Sequence, residues 1–96
     1  MALFLAAQVP SFKRMNPEVT LYTTNYCGYC TAAKRLLDQL GVGYNEIDVT
    51  DDKALRDEVS KAFDGYTTVP MIVVDGRFIG GYRELAALAR RQALTS

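Results

Sequence analysis

The sequence predicts an α/β domain in which three helices cover a four-stranded mixed sheet, in the chain order β-α-β-α-β-β-α. Runs of β-branched and aromatic residues alternate with apolar stripes at helical spacing, which indicates strands separated by helices. An Asp-Gly pair between the last two apolar runs predicts a hairpin. The chain has 96 residues, of which 49% are hydrophobic and 23% are charged. This composition is typical of one small domain with a single core.

The first strand, the first helix and the second strand are predicted from residues 19–49. Residues 19–23 are β-branched or aromatic, apart from one leucine, and predict a strand. The helix that follows carries one apolar stripe at i, i+3, i+4 and i+7 spacing, and Gly41 is its expected C-terminal cap. Residues 44–49 predict the second strand. The stripe consists of Ala33, Leu36, Leu37 and Leu40.

A second helix is predicted to begin at residues 50–52, Thr-Asp-Asp. A capping side chain followed by acidic residues suits the positive end of the helix dipole. We expect Leu55, Val59 and Ala62 on the buried face of this helix, and Gly65 at its end.

The last third of the chain predicts a hairpin and a third helix. Residues 71–74 form a continuous apolar run after Pro70, which is typical of a strand buried on both faces. The turn at residues 75–76 leads to a returning strand at residues 77–79. In the helix predicted over residues 82–93, the expected inward residues are Leu85, Leu88 and Ala89. A right-handed crossover makes the first two strands parallel, whereas the last two are antiparallel. This is the thioredoxin-like arrangement.

Residues 1–15 differ from the rest of the chain, and we interpret them as a loosely attached leader before a domain in residues 16–96. The apolar stretch at residues 2–7 is too short to span a bilayer. No Lys or Arg precedes it, as a secretory signal requires. Met15 is a sensible start for the domain.

Charge and residue usage exclude several classes of function. Eleven Lys and Arg residues balance eleven Asp and Glu residues, so no basic field favours nucleic acid or an anionic membrane as partner. The absence of histidine excludes Ser-His-Asp and Cys-His nucleophile systems and His-ligated zinc. Two cysteines three positions apart are neither a disulfide framework nor a complete zinc site. They indicate redox chemistry or a shared cofactor.

The Cys27-Gly28-Tyr29-Cys30 segment falls where the first strand meets the first helix. Backbone N–H groups at a helix start favour an anion, so we expect Cys27 to be the exposed thiolate nucleophile. Cys30 lies one turn further on, more buried, and is expected to resolve the mixed disulfide that Cys27 forms. The alternative is that both are small buried hydrophobic residues. The strand-to-helix position favours the redox interpretation.

Two further segments are candidates for a binding groove. Residues 68–70 are Thr-Val-Pro, and the ordinary interpretation is a trans proline at the start of a strand. A cis Val69–Pro70 bond would instead turn the Val69 backbone groups outward to pair with an extended peptide. Gly80 and Gly81 permit either a plain tight turn or close approach of a carboxylate to the next N–H groups. Tyr29 is expected at the rim, in contact with substrate.

These motifs together resemble the glutaredoxin family, close to its small bacterial type. The resemblance runs from about Val19 to Leu94. It rests on residues 21–23, 27–30, 67–70 and 75–81 and on the helix that follows. It implies a thioredoxin-like fold, a cis Pro70, catalytic Cys27 and Cys30, and glutathione as co-substrate. It also implies a cytoplasmic monomer whose partners are glutathione and glutathionylated or disulfide-containing proteins, with no nucleic acid, membrane or bound metal. The residues implied to line the glutathione groove are Tyr29, Thr68, Val69, Pro70, Gly81 and Tyr82.

Three departures from the family pattern support alternatives. Gly28 replaces the usual proline, and some members with Gly or Ser there hold a 2Fe–2S cluster between two subunits, ligated by the first cysteine and glutathione. Cluster carriage is therefore one alternative function. Thr24 stands where a basic residue is common, and Arg83 and Glu84 replace an acidic pair. These changes support a second alternative, an oxidoreductase that uses another low-molecular-weight thiol or a thioredoxin-like reductase.

Overall fold

A computed structural model describes the backbone of residues 17–95 and the side chains as far as residue 91. The predicted leader, residues 1–15, lies outside the described residues. The seven predicted elements are all present in the predicted order. Their bounds are β1 Val19–Thr23, α1 Gly28–Leu40, β2 Asn45–Asp48, α2 Lys53–Ala62, β3 Met71–Val74, β4 Arg77–Gly80 and α3 Tyr82–Thr95. Within the described residues, none of the helices combines the length and the apolar character that crossing a membrane requires.

The four strands form one mixed sheet in the order β2-β1-β3-β4, which confirms the thioredoxin-like fold. β1 is parallel to β2 and antiparallel to β3, and β3 and β4 form the predicted hairpin. Tyr22 on β1 lies opposite Met71 on β3. The end of β1 therefore meets the beginning of β3, so the loop after β1 and the loop before β3 lie at the same edge of the sheet.

The main core lies between one face of the sheet and helices α1 and α3. The alternate residues Val19 and Leu21 of β1 face it, as the period of two along a strand requires. Leu85, Leu88 and Ala89 are buried in α3 as predicted. In the predicted stripe of α1, Ala33 and Leu37 are fully buried, but Leu40 is 42% exposed because it ends the helix. The core cluster comprises Val19, Leu21, Ala33, Leu37, Ile72, Val74 and Leu85.

The opposite face of the sheet carries α2 and a cluster of aromatic rings. The prediction that Ala62 is buried is wrong: it is exposed, and Phe63, the residue that caps the end of α2, packs instead. Its ring stacks on Phe78 with centroids 4.2 Å apart and meets Tyr22 edge-on at 6.5 Å. Phe63 lies four residues after the buried Val59, which is also a helical spacing. The inward residue is therefore one position later than predicted.

Local turn chemistry fixes the ends of the elements. Gly41 follows α1 in the left-handed region at φ 71°, and Asp52 caps α2 by accepting a hydrogen bond from the Leu55 N–H. Asp75 and Gly76 both have positive φ, 51° and 81°, as the two-residue hairpin turn between β3 and β4 requires. The predicted cap of α1 and the predicted hairpin turn are confirmed. The predicted start of α2 is wrong, because Asp52 and not Thr50 is the cap and the first turn holds no acidic residue.

Candidate active site

Cys27 is the N-terminal cap of α1. Its backbone is extended, with φ −105° and ψ 113°, and its Sγ accepts a hydrogen bond from the Cys30 N–H at 3.0 Å. This position normally holds a serine, threonine or aspartate oxygen, which satisfies a helix N–H group that has no partner within the helix. A sulfur in this place lies at the positive end of the helix dipole, where negative charge is stabilised.

The Cys27 sulfur also contacts the loop that precedes β3. The thiol lies 3.4 Å from the Val69 carbonyl oxygen, to which it donates a hydrogen bond. The Val69–Pro70 peptide bond is cis, so the ordinary trans interpretation is wrong and the family expectation holds. The half-buried Cys27 thus lies between the start of α1 and the Thr68–Val69 backbone, with both cysteines free thiols.

Cys30 faces inward from the first turn of α1 and is 1% exposed. Burial, together with a hydrogen bond to the Cys27 side chain, raises the pKa of its thiol from 9.0 to about 12. A hydrogen bond between the Thr24 backbone and the Cys30 sulfur acts in the opposite direction. Cys30 therefore keeps its proton at neutral pH.

A cleft of about 260 Å³ opens beside Cys27, between the Pro70 loop and the start of α3. All six residues expected to bind a ligand line it, together with Tyr66, Arg83 and Glu84. The rings of Tyr29 and Tyr82 stack at its rim with centroids 6.1 Å apart, and Tyr29 is 59% exposed. The six are Tyr29, Thr68, Val69, Pro70, Gly81 and Tyr82.

Tyr66 also lines the cleft, although the sequence does not predict it there. Its hydroxyl lies against Gly81, 2.7 Å from the place that a Cβ would occupy there, and its ring meets Phe78 edge-on at 5.0 Å. Tyr66 belongs to no motif, and its side chain reaches the cleft only because the aromatic cluster holds it there. No signal in the sequence separates it from the other tyrosines.

Glu84 already provides a carboxylate at the start of α3. It accepts a hydrogen bond from the Gly81 N–H at 2.8 Å, three residues earlier, as a glutamate in a capping box does. The N–H groups of Tyr82 and Arg83 lie in the first turn of α3. Backbone N–H groups in a first turn have no acceptor within the helix. These are the N–H groups that a bound carboxylate can use.

A pair of free thiols with this spacing, the first of which caps the opening helix of a thioredoxin-like fold, defines a class of protein. The class is the thiol–disulfide oxidoreductases.

Comparison with known proteins gives the family. The glutaredoxin family model matches residues 19–79. The chain is 42% identical over 77 residues to glutaredoxin 3 of Escherichia coli (strain K12), covering 80% of this chain and 92% of that protein. Glutaredoxin 1 of Francisella tularensis matches with a TM-score of 0.70 and 30% identity, over 83% of this chain and 99% of that one. A buckwheat glutaredoxin–glutathione complex matches with a TM-score of 0.72 and 30% identity, over 80% of this chain and 72% of that one. The chain belongs to the glutaredoxin family.

Proposed function

We propose that this oxidoreductase depends on glutathione and reduces protein disulfides and glutathionyl mixed disulfides through Cys27 and Cys30. The observation that carries the proposal is the position of the Cys27 sulfur. It accepts a hydrogen bond from a helix N–H and lies 3.4 Å from the carbonyl of Val69, a residue that lines the cleft. A glutathionyl group in the cleft would therefore present its sulfur to Cys27.

The cleft offers complementary groups along its length. Thr68 and Val69 present backbone that an extended tripeptide can pair with, in the manner of an added strand. The buckwheat relative, similar in structure, forms a complex with glutathione, which supports glutathione as the ligand here.

The end of the cleft near α3 suits a part of the ligand that carries both a negative and a positive charge. The N–H groups of Tyr82 and Arg83 and the Arg83 side chain favour the γ-glutamyl carboxylate. Glu84 provides a negative charge beside them for the γ-glutamyl ammonium group. Glu84 thus offsets the repulsion that Arg83 alone would exert on that ammonium group.

Catalysis would proceed by two thiol–disulfide exchanges. The Cys27 thiolate attacks one sulfur of the substrate disulfide, which forms a mixed disulfide and releases the other sulfur as a thiolate. Cys30 then attacks the Cys27 sulfur, releases the second thiol and leaves a Cys27–Cys30 disulfide, which two glutathione molecules reduce. With a glutathionyl substrate, a second glutathione can replace Cys30 in the second exchange. The proposal includes a cytoplasmic location, where thiols are kept reduced, and action as a monomer.

The test is reduction of a small glutathionyl mixed disulfide, coupled to glutathione reductase, with thioredoxin reductase as the alternative electron donor. We expect turnover with glutathione, none with Cys27→Ser, and partial activity with Cys30→Ser because glutathione resolves the mixed disulfide. Turnover only with thioredoxin reductase would show that glutathione is not the reductant. Activity in Cys27→Ser would show that the roles of the cysteines are wrongly assigned.

A further inference from the structure

Two threonines at the end of β1 differ in how their buried hydroxyls are satisfied. Thr23 is fully buried, and its hydroxyl donates a hydrogen bond to the Glu46 carboxylate at 2.7 Å. Thr24 is 4% exposed, and its Oγ1 is buried with no hydrogen-bond partner among residues 17–95. A buried hydroxyl without a partner destabilises the fold, so its presence calls for a reason other than packing.

Thr24 lies beside the Cys30 sulfur. The Thr24 backbone hydrogen-bonds that sulfur, and a threonine Oγ1 lies within about 4 Å of its own amide nitrogen in every staggered rotamer. The staggered χ1 rotamers of threonine differ in the direction of the hydroxyl. A change of χ1 rotamer is the movement that would turn the hydroxyl toward Cys30.

Few other hydrogen-bond donors near Cys30 are available to stabilise a charged sulfur. Cys30 is 1% exposed, so water cannot solvate it from the surface. Its own N–H is committed to the Cys27 sulfur. The ammonium group of Lys34, the positive side chain that acts on Cys30, is paired with Glu46 at 3.0 Å.

We infer that Thr24 is a positioning residue for the second exchange, in which its hydroxyl donates a hydrogen bond to the Cys30 sulfur as that sulfur attacks Cys27. The inference rests on the roles proposed for the two cysteines. In this step the Cys27–Cys30 bond forms and the bond between Cys27 and the substrate sulfur breaks. The Cys30 proton ends on the released substrate thiol, and the hydroxyl keeps its own proton. Hydrogen bonds to charged groups are stronger than those to neutral ones, so the effect is greatest on the way to the transition state.

The test measures each exchange separately in a single turnover without glutathione. Reduced protein is mixed with insulin as the disulfide substrate, quenched with acid and analysed by mass spectrometry. We expect Thr24→Val to slow conversion of the mixed disulfide to the Cys27–Cys30 disulfide about tenfold. Thr24→Ser, which keeps the hydroxyl, should restore the rate to within about twofold. In a Cys30→Ser background, Thr24→Val should leave formation of the mixed disulfide unchanged.

Several outcomes overturn the inference. Equal rates of the second exchange in Thr24→Val and the unaltered protein would show that the hydroxyl does not act on Cys30. Equal slowing of the first exchange in the Cys30→Ser background would show a merely structural role. If Thr24→Val does not fold, the same comparison of Thr24→Ala with Thr24→Ser decides the question. Failure of the unaltered protein to form the Cys27–Cys30 disulfide would instead refute the proposed roles of the cysteines, and the inference with them. A preference for a reductant other than glutathione would leave it standing, since glutathione takes no part in the reaction.

Discussion

At the scale of single residues, the two cysteines differ because of where one helix begins. Cys27 lies outside the first turn and accepts a backbone hydrogen bond, whereas Cys30 lies inside it and faces the core. The two side chains are identical and lie one helical turn apart, yet the Cys27 sulfur is accessible and the Cys30 thiol is buried. The same geometry keeps the two sulfurs close enough to form a disulfide with little rearrangement.

The raised pKa of Cys30 predicts how the stability of the reduced protein depends on pH. The unfolded chain releases this proton near pKa 9.0, whereas the folded chain holds it until about 12. The contribution of Cys30 to the free energy of unfolding is thus fully present below pH 9.0 and is lost as pH rises toward 12. We expect a loss of about 1 kcal/mol at pH 10. Urea unfolding of the reduced protein at several pH values measures it.

The matched control for this pH dependence is Cys30→Ser, which cannot release a proton in this range. The other ionisable side chains are common to both proteins, so the difference between the two curves reports the contribution of Cys30. Curves that stay parallel from pH 7 to pH 10 would contradict the raised pKa.

Individual cleft residues were predictable where a motif marks them. The Thr-Val-Pro and Gly-Gly-Tyr segments pointed to backbone chemistry, and the structure brings both to one cleft. Tyr66 could not be predicted because its role depends on tertiary packing against Phe78. The Gly81–Glu84 hydrogen bond follows the spacing of a capping box, so a signal for it was present in the sequence.

At the scale of elements, the start of α3 shapes the floor of the cleft. A Cβ on Gly81 would lie 2.7 Å from the Tyr66 hydroxyl and 3.4 Å from the Pro70 carbonyl oxygen. Gly81→Ala should therefore push the Tyr66 ring and narrow the cleft, and we expect kcat/KM for a glutathionyl mixed disulfide to fall about tenfold. The coupled glutathione reductase assay measures this fall.

Gly43→Ala is the control for this substitution, since a Cβ there meets no atom within 4 Å. It should leave kcat/KM unchanged. Combining Tyr66→Phe with Gly81→Ala removes the contacted hydroxyl and should recover part of the loss. Full activity in Gly81→Ala alone would show that this part of the cleft does not bind substrate.

Element types and their order were predictable because the periodic patterns were strong, whereas inward positions at helix ends were less so. Ala62 and Leu40 matched the helical spacing, yet each is the last residue of its helix. The backbone leaves the helix at that point. After α2 the next residue makes the expected contact, whereas at the end of α1 the side chain is exposed to solvent. At the end of α2 the larger, half-buried Phe63 ring takes the inward position because it gains more apolar contact than Ala62 would.

At the scale of the whole molecule, the order of strands assembles the site. The sequence predicted a parallel pair and a hairpin but left open which strands meet between them. Pairing of β1 with β3 in antiparallel register joins the two halves. This pairing brings the Cys27 loop beside Val69, 42 residues away in the chain. Neither the parallel pair nor the hairpin contains the whole site. Motif spacing therefore predicted the residues of the site but not how they are arranged in space.

Competition between the two thiols for an alkylating reagent tests the central claim most directly. Reduced, folded protein is treated with less than one equivalent of iodoacetamide at neutral pH, and the modified peptides are quantified by mass spectrometry. Capping of α1 by the Cys27 sulfur and burial of Cys30 predict modification of Cys27 almost alone, with Cys30 reacting only after unfolding in urea. Equal modification of both thiols, or preferential modification of Cys30, would contradict the account.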